Sequence, residues 1–148
     1  MKAQVSTELL IIIGFVLLLF IPLLGLVYFK SSEANQQIGA YQAELAVFRL
    51  ASLANSVGSL GTDTIVYTNV YIPKETIELR TVQSGMASEI VLEIQTPTGP
   101  TEIVEIVKYP MNSYGTLVDS ESAGGWMKVQ ISSEYDDEQG AVITIDRV

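Results

Sequence analysis

Residues 9–29 run for 21 positions without a charge, most of them Leu, Ile, Val or Phe, and this stretch limits what the rest of the chain can be. As an α-helix it is about 31 Å long at about 1.5 Å per residue, the thickness of a bilayer's hydrocarbon core. A cleaved secretory signal has a shorter apolar stretch of about 7–15 residues, followed by small residues at a cleavage site. Here Lys30-Ser31-Ser32-Glu33-Ala34-Asn35 follows, which is no such site. The run reads as a retained membrane helix. Lys2 stands on its short side and a large acidic portion on the other, so the N-terminus is expected inside and the bulk outside, with Lys30 offsetting part of that bias.

The remainder has a different character. The chain carries a formal charge of −9. Beyond Lys30 lie six basic and sixteen acidic residues, a net of −10. That surface repels phosphate backbones, so nucleic acid is not an expected partner. With Cys 0 and His 0, the chain has no disulfide, no thiolate metal site and no imidazole base. No Gly-rich phosphate loop or metal motif appears. Paired carboxylates are the acid–base chemistry left over, and sixteen acidic residues bring some together by chance. No enzyme activity, cofactor or metal is expected. No Asn-x-Ser/Thr triplet occurs, so N-linked sugar is not expected either.

Glu8 sits at the edge of the apolar run, within Gln4-Val5-Ser6-Thr7-Glu8-Leu9. A carboxylate deep in lipid is costly and usually has a partner; one at the interface, near a helix N-terminus, is favourable without one. Position alone does not separate these readings.

Met1-Lys2-Ala3, then Gln4-x-Ser6-x-Glu8, then an apolar helix, resembles the class III signal peptide of archaeal type IV pilin-like proteins. The resemblance implies a short leader over residues 1–3, cut by a prepilin peptidase between Ala3 and Gln4 on the cytoplasmic side. The apolar segment would stay in the mature protein and become the core of a filament. It also implies that Glu8 pairs with the freed amine of Gln4 on a neighbouring copy, fixing register more than adding stability. Leu9 departs from the family's pattern, which often has an aromatic residue there. The filament core implied comprises Leu9, Leu10, Ile13, Gly14, Phe15, Leu17, Leu18, Ile21, Pro22, Leu24, Gly25 and Tyr28. Implied partners are further copies in a helical homopolymer, the peptidase, an assembly platform, and the membrane before assembly; adhesion is the expected service at the cell surface. A single-pass anchored extracellular β-domain that never polymerises is the alternative.

The helix is expected to continue beyond the membrane segment, over residues 4–57 and about 80 Å in all. Ala34, Ile38, Tyr41, Leu45 and Phe48 recur at intervals of four and three, one stripe able to pack under a sheet or against neighbouring helices. Gly58-Ser59-Leu60-Gly61 reads as the stop. Gly14, Pro22 and Gly25 interrupt the helix, and Pro22 cannot donate to its hydrogen-bond ladder.

From residue 63 the period changes. Runs at 64–72, 76–81, 89–96, 101–109, 126–132 and 141–147 are rich in Ile, Val, Thr and Tyr, and several alternate, with Met127, Val129 and Ile131 set against Lys128 and Gln130. Six or seven antiparallel strands over residues 62–148 indicate a sandwich-like all-β head, making the chain α+β with a long N-terminal helix. The stretch 110–125 is either a binding loop ending at Trp126, or a further strand near 114–118 with Trp126 filling the core; the second is favoured. Asp136-Asp137-Glu138-Gln139-Gly140 is read as a solvated hairpin turn, with a hard-cation loop as the lesser reading.

Overall fold

The computed structural model describes residues 2–84, 87–112 and 115–148, with side chains over 7–83, 87–112 and 115–148. Helix α1 occupies Lys2–Leu60, and seven strands follow: β1 Thr64–Ile72, β2 Thr76–Ser84, β3 Ala87–Thr96, β4 Gly99–Val107, β5 Gly115–Asp119, β6 Gly125–Asp136 and β7 Gly140–Arg147. The chain divides into two compact units, Met1–Gln37 and Ile38–Val148.

The first unit is helix alone. Its Leu, Ile, Val and Phe side chains over residues 9–29 are exposed on every side. The helix runs through Pro22, and by length and composition it is apolar enough to cross a membrane. An added Cβ at Gly14 or Gly25 would meet nothing within 4 Å.

The second unit joins the last turns of α1 to the strands around one core. Two antiparallel sheets form, ordered β1-β6-β7 and β4-β3-β2-β5. Ala43, Val47, Leu50, Ala54 and Val57 from the helix, Val70 and Ile72 from β1, Ile90 and Leu92 from β3, and Val129, Ile131, Ile143 and Ile145 from β6 and β7 are buried in a single cluster. The head therefore begins at Ile38, and residues 62–148 would lack the helical wall of their own core. Ala43, Ala46, Ala51 and Ala54 are all buried on the face that the helix turns to this core.

The helix ends three residues later than position 57. Gly61, at φ +100°, adopts the left-handed conformation that closes a helix, whereas Gly58 is an ordinary helical residue. Beside it, Asn55 turns its side chain to the end of β4: the Lys108 amide donates to Asn55 Oδ1 at 2.8 Å, and Asn55 Nδ2 donates to the Ile106 carbonyl at 3.4 Å. An edge strand is thus tied down by a helix side chain rather than by another strand.

The segment after β4 is structural. Met111 is buried and bridges Ile143 in parallel; the Asn112 amide donates to the Ile143 carbonyl at 2.9 Å, and the Ile143 amide to the Pro110 carbonyl at 2.8 Å. β5 then pairs with β2, as the strand reading of 114–118 expected, although Tyr114 lies outside the described residues. Trp126 corrects the other half of that reading. It is 71% exposed, because β6 turns its odd-numbered residues Met127, Val129 and Ile131 inward and its even-numbered ones outward.

Candidate functional site

The residues that the N-terminal motif singles out lie on the first turns of α1. The side chains of Gln4 and Ser6, and that of Ala3 at the expected processing point, are outside those described. Glu8 is exposed and forms no ion pair among the described residues. Leu9, Leu10, Ile13, Phe15, Leu17, Leu18, Ile21, Leu24 and Tyr28 are exposed, as is Pro22; Gly25 is half-buried, and Gly14 opens onto empty space. By length and composition this apolar segment is compatible with membrane insertion.

The helical part of the head carries a second uncovered surface. Ile38, Tyr41, Leu45 and Phe48 are exposed, Tyr41 and Leu45 at 66% each. Ala43, Val47, Leu50, Ala54 and Val57, at the same spacing, are buried. At about 3.6 residues per turn the two stripes fall on opposite sides of the helix. Of the two roles open to the large-residue stripe, packing under a sheet is excluded, since the small-residue face does that. Exposed apolar side chains gathered on one face mark a contact surface.

The stripe continues sideways. Tyr41, Leu45 and Phe48 share a groove with Glu105 of β4, and Phe48 shares the next with Ile106 and Tyr109. On the other flank, Leu45, Gln42 and Arg49 line an open basin of about 540 Å³ with Tyr71 and Trp126. The two rings meet edge to face with centroids 5.6 Å apart, from directly opposed positions on β1 and β6. A second basin of about 450 Å³ shares Arg49 and Trp126 and adds Tyr67, Asn69 and Lys128. Lys128 Nζ lies 5.1 Å from the centre of the Tyr67 ring, a favourable cation–π arrangement.

The polar chemistry of the head lies elsewhere and is structural. Arg80 on β2 reaches Glu102 on β4 at 2.7 Å, Glu78 at 3.2 Å and Glu93 on β3 at 3.8 Å, while Thr116 on β5 donates to Glu78. One cation thereby ties together all four strands of its sheet. The Glu78 carboxyl is held below its ordinary value, first by the Thr116 hydroxyl and then by Arg80. At the 136–140 turn, Asp136 Oδ1 accepts the amides of Glu138 at 2.8 Å and Gln139 at 3.0 Å, the self-capped turn expected of a hairpin. Among the described residues no three acidic side chains gather in a metal-binding group.

The basin around Trp126 was not legible as a site, but its signal was present: extending the alternation of β6 back from Lys128 puts Trp126 on the outer face. Fold and surface together define an α+β protein with an apolar helix compatible with membrane insertion and a small antiparallel β-head. Compared with protein-family models, with curated proteins and with solved structures, the chain matches none.

Proposed function

We propose that this chain is a structural subunit of a type IV pilus-like surface filament, held in the membrane by its helix until assembly. The observation that carries the reading is the outward stripe Ile38–Tyr41–Leu45–Phe48. A simple anchored domain has lipid to cover residues 9–29. It has no reason to keep four large apolar side chains uncovered farther along, past Lys30 and Glu33, which pair in water at 2.7 Å. A filament subunit does, because neighbouring helices cover them. Each such side chain stabilises the assembly by about 1.5–3 kcal/mol when fully removed from water. The Gln4-x-Ser6-x-Glu8 motif supports the same reading, since it would free an N-terminal amine for Glu8 of a neighbour.

In this mechanism the peptidase removes residues 1–3, the helix leaves the bilayer, and residues 9–29 pack against copies of themselves through close contacts rather than through expulsion of water. A head-to-tail contact that does not close on itself yields a helical polymer, with the β-heads outermost. Mass spectrometry of the terminal peptide, on protein recovered from its native cell surface, tests the proposal. A chain beginning at Gln4 is expected; one beginning at Met1 or Lys2 would leave only the anchored-domain reading.

A further inference from the structure

The Trp126 basin has unpaired positive charge on a head whose residues 38–148 carry six basic and fifteen acidic side chains, a net of −9. Arg49 and Lys128 form no ion pair among the described residues, in contrast to Arg80, which three carboxylates surround. They stand beside the one tryptophan of the chain, itself 71% exposed. An occupant of this basin needs an aromatic or apolar body and negative charge.

The same head presents such a group at its other end. Tyr135 is 67% exposed where β6 leaves the core. Asp136, Asp137 and Glu138 follow at the tip of the β6–β7 hairpin, all exposed. Asp136 is spent on capping the turn, whereas Asp137 and Glu138 form no ion pair among the described residues. Trp126 and Tyr135 lie toward opposite ends of the same strand, roughly 30 Å apart at about 3.3 Å per residue. Within one chain the tip therefore cannot reach the basin.

We propose that the acidic, tyrosine-bearing hairpin tip of one copy docks into the Trp126 basin of the next. This inference rests on the self-assembly reading and names the contact between heads. Two surfaces of opposite sign at opposite ends of one strand make a heterologous contact, which propagates in a row and does not close into a dimer. The contact also answers the repulsion between heads of like net charge, because it sets each copy's negative tip on its neighbour's local positive patch. Leu45 belongs both to the basin and to the outward helix stripe, so the two contacts adjoin.

The chain has no cysteine, so introduced thiols report the contact without background. Asn69→Cys places one at the basin and Glu138→Cys one at the tip. Filaments of the full-length double variant, treated with a short bis-maleimide, are expected to give a ladder of covalent multimers. A mixture of the two single variants is expected to give dimers, and each single variant alone none. In the filament-forming background, Arg49→Glu with Lys128→Glu is expected to raise the concentration needed for assembly tenfold or more, and Asp137→Lys with Glu138→Lys in the same chain to restore it. A rescue of that kind is not available to residues that merely support the fold. Filaments that form but give no ladder would overturn the docking and leave the pilin reading intact. Dimers from Asn69→Cys alone, or its capture of a foreign protein or an acidic polysaccharide in place of the tip, overturn it as well. Absence of filaments from the unaltered chain would remove both.

Discussion

The ring of Tyr109 lies directly over Gly58: a Cβ on Gly58 would stand 2.4 Å from ring atom Cδ2 and 2.6 Å from Cε2. Glycine is there for the close approach, and the helix continues past it to Leu60. Gly58→Ala brings two opposed terms. Helix propensity gains about 1 kcal/mol, while crowding a packed ring costs roughly 1–3 kcal/mol. Crowding wins while Tyr109 is present, so the variant is expected to be less stable by about 1 kcal/mol in denaturant unfolding of the head. In a Tyr109→Ala background the sign is expected to invert, and Gly58→Ala to stabilise. A stabilising effect in both backgrounds would refute the close-approach account.

The seven strands were largely legible because their alternation and their turn residues are local, as in Ile90, Leu92 and Ile94 of β3. The face the helix turns inward was not. Two stripes share one spacing, Ile38-Tyr41-Leu45-Phe48 and Ala43-Val47-Leu50-Ala54-Val57, and size favours the wrong one. Only the fold shows that the alanine-bearing stripe is the buried one, because the residues it packs against are distant in sequence. Gly58 misleads in the same way: what fixes it is Tyr109, distant in sequence. For Trp126, residue type points inward, but strand parity, a local rule, places it outside. A contact surface leaves no periodic mark of its own, since its partner lies on another molecule.

The outward stripe separates assembly from folding. Leu45 is 66% exposed, so Leu45→Lys is expected to change head stability by less than about 0.5 kcal/mol while abolishing filaments seen by electron microscopy. Leu50, on the opposite side, is fully buried, and Leu50→Ala is expected to cost about 2–5 kcal/mol of head stability. Gly14→Leu and Leu18→Lys, in the apolar run, are expected to behave as Leu45→Lys does. Normal filaments from Leu45→Lys would exclude the stripe as a packing surface.

Among the described residues, three buried hydroxyls of the head have no hydrogen-bond partner: Thr76 Oγ1, Ser88 Oγ and Ser133 Oγ. A buried hydroxyl that bonds nothing loses its hydration with no return, and removing it at nearly constant shape relieves that penalty. Ser88→Ala and Ser133→Ala are each expected to stabilise the head by about 0.5–1 kcal/mol, a rise in Tm of a few degrees. The two sites are on different sheets, so the gains are expected to add. Differential scanning calorimetry decides it; a lower Tm for either variant would show that its hydroxyl is satisfied in solution.

The response to acid follows from the network on the four-stranded sheet. Glu78 titrates below 4.5 in the folded head, first because Thr116 donates to it and second because Arg80 lies beside it. The unfolded chain binds this proton more readily, so the contribution is complete above about pH 4.5 and is lost as pH falls through the lower folded value. Asp119 acts in the same direction from its ordinary 3.8, since the Ser122 hydroxyl and amide donate to its carboxylate at 2.7 and 2.9 Å. The head is therefore expected to melt at progressively lower temperature as pH falls below about 4.5. Glu78→Gln keeps the shape but removes the titration, and is expected to flatten that dependence; Ser122→Ala is expected to flatten the more acidic part. Arg80→Met leaves Glu78, Glu93 and Glu102 close together without their cation, so it is expected to destabilise near neutral pH by roughly 1 kcal/mol, less at high salt. Since protonation of Glu78 relieves part of that crowding, the Arg80→Met deficit is expected to shrink in acid. A deficit that instead grew as pH fell would mean that Arg80 acts through packing rather than charge.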